Sequence, residues 1–332
     1  MNSDAPTFLG PDAPIPIDRP FTRAMAMAEG VPPRRLTAWV SRGLLINPMR
    51  GIFYAAQLSD GLDLRLSCLS LVVPEYAVVT DRTAGWLSGA PMILAPGDHL
   101  RVPPVSMHLR PGYRLRNPLC KSGERTFLAH EICEIQGLAV TAKLRTTVDL
   151  GMGLRPESAF AAMCAMAKVA DYERDDLLFE VRERGRFAGY RGVRQIRVLA
   201  PFVRTEYGSG PECVLGLAWE GQPGMPALTL QHPVSHPDGT YYLDLSCPEL
   251  KYGVEYNGPR WHGAERAAYD AKRIAWLVEH EDWIIDVFES ADVYRPGCDP
   301  GLRLRQGIER ARRRYGGLAW TGQNRYGDSW LG

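Results

Sequence analysis

One stretch constrains the chain more than any other: Tyr241 to His262, reading YYLDLSCPELKYGVEYNGPRWH. Thr240–Ser246 is rich in Tyr and Leu, Cys247-Pro248-Glu249-Leu250 is a turn, and Lys251–Asn257 is a second apolar run stopped by Gly258-Pro259. The pattern predicts a hairpin. Side chains alternate faces along a strand. Alternation puts Tyr242, Asp244 and Ser246 on one face of the first strand, and Gly253, Glu255 and Asn257 on one face of the second. Val254 and Tyr256 then pack on the other side. If the strands pair, Asp244 and Glu255 meet. Two converging carboxylates suit a divalent metal such as Mg²⁺, which takes oxygen ligands and keeps waters for a phosphate substrate. The same acids are as ordinary as a strand-end polar residue and a surface strand residue. Asn257, Trp261 and His262 add an amide, an aromatic ring and a titratable imidazole, though a lone histidine is more often a plain surface residue.

The rest of the chain sets limits on what such a hairpin can serve. The 332 residues suffice for two or three domains, and the net charge of +1 excludes a polycation. Any nucleic-acid contact must therefore come from local patches. The seven cysteines include no CxxC and no Cys/His cluster at zinc spacing, which points to reduced thiols in a cytoplasm. No apolar run is long enough to span a membrane. The opening residues lack the basic start and apolar core of a signal peptide, so 1–19 reads as a flexible Pro-rich arm.

Residues 20–56 read as helix, turn, helix and hairpin, the layout of a winged helix-turn-helix. Thr22 is a plausible N-cap, Gly30 breaks the first helix, and Pro33 to Arg42 forms the second with Leu36, Trp39 and Val40 inward. In such a unit the second helix enters the major groove of double-stranded DNA and basic residues hold phosphates. Arg34, Arg35 and Arg42 project from that helix and Arg50 sits on the wing. A small helical subdomain with solvated arginines is the competing reading.

Residues 57–150 read as a mixed α/β middle domain. Leu62, Leu66, Leu69 and Val73 form a helical stripe stopped by Pro74, and Trp86 is expected in a core. His99 to Val140 alternates like small strands carrying Arg101, Arg110, Arg114, Arg116 and Lys121. These basic residues suit either a phosphate backbone or edge protection. Arg145 and Asp149 are one helical turn apart and can pair. Residues 151–204 read as a helical bridge with a core Ala/Met stripe. Residues 205–296 follow a glycine-rich boundary. In 297–332 a terminal helix from Leu302 to Tyr315 carries Arg303, Arg305, Arg310, Arg312, Arg313 and Arg314 before a loose tail. That helix suits nucleic acid or a solvated face.

Two resemblances sharpen this plan. From about Ser209 to Val293 the chain resembles the endonuclease-like domain related to very-short-patch-repair nucleases, in the PD-(D/E)XK superfamily. The residues that carry the likeness are Asp244, Pro248-Glu249, Glu255-Tyr256-Asn257-Gly258 and Trp261-His262. Gly210-Pro211-Glu212 looks like the preceding helix with its further acid, Gln231 and Val234 the strand before the hairpin, Asp270 and Arg273 the following helix, and Trp283–Val287 the next strand. Asn257 departs from the group, which usually has a second acid there, as the superfamily often has a Lys. The segments Phe21-Thr22-Arg23-Ala24, Arg35-Leu36, Val40, Arg42-Gly43-Leu44 and Arg50-Gly51-Ile52-Phe53-Tyr54 resemble the amino-terminal winged helix of AbiEi-type antitoxins. Arg82-Thr83-Ala84-Gly85-Trp86-Leu87 and the segment from Val140 to Leu150 continue that likeness.

The resemblances imply an α+β multidomain protein: a winged helix-turn-helix, a small β-rich middle with a helical bridge, and an α/β restriction-endonuclease-like domain. They imply that Asp244 and Glu255 ligate Mg²⁺ or Mn²⁺, with Glu212 acting through water or on a second ion. His262 orients or protonates, Arg273 or Lys272 stabilises the phosphate, and Asn257 positions water. The expected activity is hydrolysis of DNA phosphodiesters, in a phage-defence or toxin–antitoxin setting. The alternatives are an antitoxin-like repressor with a retired nuclease fold that contacts a cognate toxin, and a nuclease-fold sensor of a phage component.

Overall fold

In the computed structural model of the protein, residues 8–92, 102–113, 115–182, 189–258 and 264–315 are described. They fall into two compact units, one made of residues 8–92, 102–150 and 168–182, the other of 151–167 and 189–315.

The first unit opens with strand β1 (Phe21–Thr22) and helix α1 (Arg23–Ala28). The Thr22 hydroxyl accepts the Met25 N–H at 3.2 Å, capping the helix. Gly30, at φ 78°, turns the chain into α2 (Pro33–Ser41), which a proline opens and whose Leu36 and Trp39 are buried. A hairpin follows, β2 (Leu45–Met49) and β3 (Ile52–Ala55), with β1 paired to the other side of β3. The strand β2 runs further than the apolar run Leu44-Leu45-Ile46, with Asn47-Pro48 after it, leads one to expect. It reaches Met49 through a register shift after Ile46, so the turn tightens to Arg50-Gly51. Leu9 and Ile15 enter the core of Phe21, Leu36, Trp39 and Phe53. The segment expected as a flexible arm is therefore packed from Leu9 onward, because Leu9, Ile15 and Ile17 find apolar partners.

The same unit holds α3 (Leu62–Ser70), β4 (Ala77–Val79), α4 (Asp81–Leu87), β5 (Val105–Leu109), β6 (Cys120–Glu124), β7 (Ile132–Ile135) and β8 (Leu138–Thr141). The five strands form one sheet in the order β6-β5-β4-β8-β7. Its core takes Leu66 and Leu69, while Leu62 is exposed, so the predicted leucine stripe is shorter than expected. Trp86 packs against this core with the Arg65 guanidinium 5.2 Å from its ring centre. The helices α5 (Lys143–Gly153), α6 (Pro156–Ala167), α7 (Arg174–Arg182) and α8 (Val193–Leu199) follow. They do not make a separate bridge: α7 belongs to the first unit, α6 and α8 to the second. The Ala/Met run of α6 is buried throughout.

The predicted Arg145–Asp149 pair forms at 3.0 Å. It is also part of a larger network that spacing did not reveal. Arg145 lies 2.8 Å from Glu131, and Arg125 reaches Asp149 at 2.7 Å. Arg145, Asp149 and Glu131 are all buried. Such a network is stable only while every charge keeps its partners.

The second unit carries α9 (Gly210–Glu220), β9 (Thr229–His236), β10 (Gly239–Cys247), β11 (Tyr252–Asn257), α10 (Ala264–His280), β12 (Ile284–Glu289), α11 (Ser290–Tyr294) and α12 (Pro300–Tyr315). The sheet order is β12-β11-β10-β9, with β12 parallel to β11 and the other pairs antiparallel. One core joins Leu215 and Trp219 of α9 to Leu245, Tyr252, Val254 and Phe288 of the sheet and to Leu304 and Ile308 of α12. A second joins Leu277 of α10 to Val234, Leu243 and Trp283. Gly307 lets α12 approach β11, since a Cβ there would collide with the Tyr252 hydroxyl. Among the described residues no helix is long and apolar enough to cross a membrane.

Arg145→Ala is expected to lower unfolding free energy by about 3–5 kcal/mol, the scale for orphaning buried charges. Urea denaturation followed by circular dichroism measures it. A loss below about 1 kcal/mol would mean that the network is not a stabilising element.

Candidate acidic site on the C-terminal sheet

The predicted hairpin forms, but its alternation breaks at the residue of interest. The β10–β11 pairing runs from Cys247↔Tyr252 to Leu245↔Val254. Beyond it the Tyr256 N–H donates to the Asp244 carboxylate at 2.9 Å instead of to a strand carbonyl. On the other side, β9 pairs through Leu243↔His232 and Leu245↔Leu230, and the residues between them are Asp244 and Gln231. Gln231 has a left-handed φ of 48°, a strained backbone for a residue other than glycine. Leu243 and Val234 join the α10 core while Leu245 and Leu230 join the α9 core. Residues two or four apart on a regular strand share a face. Both strands therefore change face at Gln231 and Asp244, which turns the Asp244 side chain toward the neighbouring strand. The expectation that Tyr242, Asp244 and Ser246 share a face does not hold, for this reason.

Around that break stand three of the other predicted groups, Glu255, Arg273 and Glu212. Glu255 is 3% exposed. Arg273, from α10, grips it with both ends of its fork: Nη1 to Oε1 at 3.1 Å and Nη2 to Oε2 at 2.7 Å. The same Nη1 donates to the Tyr242 carbonyl at 3.1 Å. Glu212, buried in the first turn of α9, accepts the Gly208 N–H at 2.6 Å and the Ser209 hydroxyl at 2.8 Å. The Gln231 amide stands 3.5 Å from Glu212 and also hydrogen-bonds Asp244, so it links the two acids. Sequence reasoning placed Gln231 only as a strand residue. Its part in the site depends on a backbone kink that no spacing rule detects.

The electrostatics follow from burial. Desolvation pushes Glu255 up to about 7, against its hydrogen bonds from Arg273, and the charges of Asp244 and Glu212 add to the rise. Asp244 is also raised, first by burial and last by Asp270, while the Tyr256 N–H, Arg273 and Gln231 pull the other way. Burial is the largest single influence on Arg273 and pulls it down, but the hydrogen bonds to Glu255 together with the charges of Glu255, Asp244 and Asp270 outweigh it and hold the guanidinium above its ordinary value. One guanidinium thus serves more negative charge than it can neutralise.

The donor set consists of hard carboxylate oxygens, which Mg²⁺ and Mn²⁺ prefer, and such ions are commonly held by one or two carboxylates plus water. Asp244 and Glu255 are carboxylates of that kind. Glu212 does not join them as a third direct ligand. Its oxygens are engaged by Gly208, Ser209 and Gln231. Among the described residues no three His, Cys, Asp or Glu side chains form one metal-holding group. Asn257 is exposed at the end of β11. Trp261 and His262 lie outside the described residues, as do Arg101, Arg114 and the tail at 316–332.

The basic candidates divide into two kinds. Arg34, Arg35, Arg42 and Arg50 are exposed, with the Arg35 guanidinium 4.6 Å from the Trp39 ring centre. The terminal helix is different. Arg303 pairs with Asp292 at 3.0 Å, Arg310 with Asp286 at 2.7 Å and Arg314 with Asp282 at 2.8 Å, and Arg312 donates to the Gly224 carbonyl. Much of its charge is matched within its own unit. Compared with known protein families and with curated proteins, the sequence matches none.

Because burial raises Glu255 from 4.5 to about 7, the folded protein holds a proton there that the unfolded chain releases, so stability falls as pH rises from 4.5 to about 7; the full cost is present above that and none below 4.5. Glu255→Gln, measured in EDTA, is expected to raise the thermal midpoint at pH 8 and to leave it nearly unchanged at pH 4. Equal effects at both pH values would contradict the burial account.

Proposed function

We propose that the second unit is a metal-dependent nuclease-like domain that hydrolyses DNA phosphodiesters, and that the helix-turn-helix segment of the first unit contacts duplex DNA. The observation that carries this reading is the meeting of Asp244 and a deeply buried Glu255 where two strands change face, with one arginine beside them. The run of α9, β9, β10, β11, α10 and β12 agrees with the order of helices and strands that the resemblance implies.

In this reading Asp244 and Glu255 would hold a divalent ion, which supplies a water of lowered pKa and offsets charge on the phosphate. The residues of the chain do the rest. Gln231 fixes the Asp244 carboxylate, and Glu212 acts at one remove through Gln231 or water. Arg273 offers a planar fork to phosphate oxygens, in place of the superfamily's lysine. Asn257 positions water, and His262 orients it or protonates the leaving oxygen. Arg34, Arg35, Arg42 and Arg50 hold phosphates of the duplex. A phage-defence or toxin–antitoxin role belongs to this same proposal.

A second reading is favoured by Asn257, which carries no charge where an acid or lysine is usual. Here the domain is a retired fold, and the protein is an antitoxin-like repressor. Plasmid nicking with Mg²⁺ or Mn²⁺ separates the two. The nuclease reading predicts cleavage by the parent and a loss of roughly a hundredfold or more in Asp244→Ala, the scale for removing one electrostatic group. No cleavage, together with a footprint on the protein's own promoter that Arg34→Ala/Arg35→Ala abolishes, would establish the repressor instead.

A further inference from the structure

Resting on the nuclease reading, we propose that Arg273 is the resident counter-ion of the acid site, and that a nucleic-acid phosphate draws it off Glu255. Divalent cation and nucleic acid would then bind together, each weakly without the other.

The geometry is that of a guanidinium–carboxylate fork, with both Glu255 oxygens capped at 3.1 and 2.7 Å. The pair is dry: the Glu255 side chain is 4% exposed and that of Arg273 15%. A divalent ion on Glu255 would stand beside a fixed positive charge in poorly solvated surroundings. Like charges at that range repel strongly, and more so away from water. Ion and arginine therefore compete for one carboxylate. Among groups that fit the same fork bidentately, phosphate is the one a DNA backbone supplies. A phosphate that takes Arg273 leaves Glu255 uncovered next to Asp244, and the surplus negative charge then favours the ion.

Three further contacts shape the exchange. The Tyr242 carbonyl holds one nitrogen of the fork at 3.1 Å and keeps the side chain near the site. Asp270, one turn earlier on α10, adds to the field that holds Arg273 charged. The Tyr256 N–H keeps Asp244 in place whether or not Glu255 is gripped. Because binding linkage is reciprocal, the factor by which DNA tightens the ion must equal the factor by which the ion tightens DNA.

The test is Mn²⁺ binding to the full chain, read as free Mn²⁺ by electron paramagnetic resonance, with and without a short DNA duplex carrying uncleavable phosphorothioate linkages. Parent, Arg273→Lys and Arg273→Met are compared, with circular dichroism confirming the fold of each. Without DNA, Arg273→Met is expected to bind Mn²⁺ at least roughly tenfold tighter than the parent, the scale of losing a charge-assisted competitor. Arg273→Lys, which cannot cap both oxygens, falls between. Adding the duplex is expected to tighten Mn²⁺ on the parent much more than on Arg273→Met. If parent and variants bind Mn²⁺ equally well without DNA, the counter-ion role is wrong and the metal site stands. If DNA leaves the parent's Mn²⁺ affinity unchanged, the exchange is wrong even where a variant fails to fold. If no form binds Mn²⁺ in either condition, the nuclease reading fails as well.

Discussion

A carboxylate buried on an interior strand next to a second carboxylate is an expensive object, and the second unit is arranged around holding it. Glu255 is almost fully enclosed, and Asp244 and Glu212 act on it with like charge. Arg273 answers with a bidentate grip, yet burial still pushes Glu255 up to about 7. A residue whose charged form costs this much suits a function that uses the charge. A purely structural position would serve as well with an amide.

The strand break at Gln231 and Asp244 is what aims the acids. A regular antiparallel pair would send Asp244 straight out from one face. The left-handed Gln231 and the face change of both strands instead send it sideways to the Tyr256 N–H. Irregularities of this kind re-aim a side chain at the cost of ladder hydrogen bonds. The two apolar cores on opposite faces of the sheet, one against α9 and α12 and one against α10, hold the kinked strands in place. The first unit handles buried charge differently. There Arg145 is matched by both Glu131 and Asp149, and Arg125 completes the set, so the network reads as a structural tie.

Much of the architecture was legible from local chemistry. Thr22 as a cap, Gly30 as a break and Pro33 as an opener are short-range effects, and each one appears at its place. The hairpin with its Pro-Glu turn and the Arg145–Asp149 pair were visible for the same reason. What could not be read was non-local. The packing of Leu9 and Ile15 depends on an apolar cluster formed by residues further along the chain. The engagement of Arg303, Arg310 and Arg314 depends on Asp292, Asp286 and Asp282, which belong to other elements. Asp244 and Glu255 were found as a pair, but the alternation rule gave the wrong reason, since it assumes an unbroken strand. Arg273 was named as a phosphate contact, while its present partner is a carboxylate.

The central claim is that Asp244 and Glu255 form one site for a divalent ion. The most direct measurement is anomalous X-ray diffraction from crystals of the protein with a phosphorothioate duplex, grown in Mn²⁺. The account predicts an anomalous peak within coordination distance of both carboxylates, with Arg273 turned onto a backbone phosphate. Density showing Arg273 still clasping Glu255, with no peak at the two acids in the presence of DNA and Mn²⁺, would contradict it.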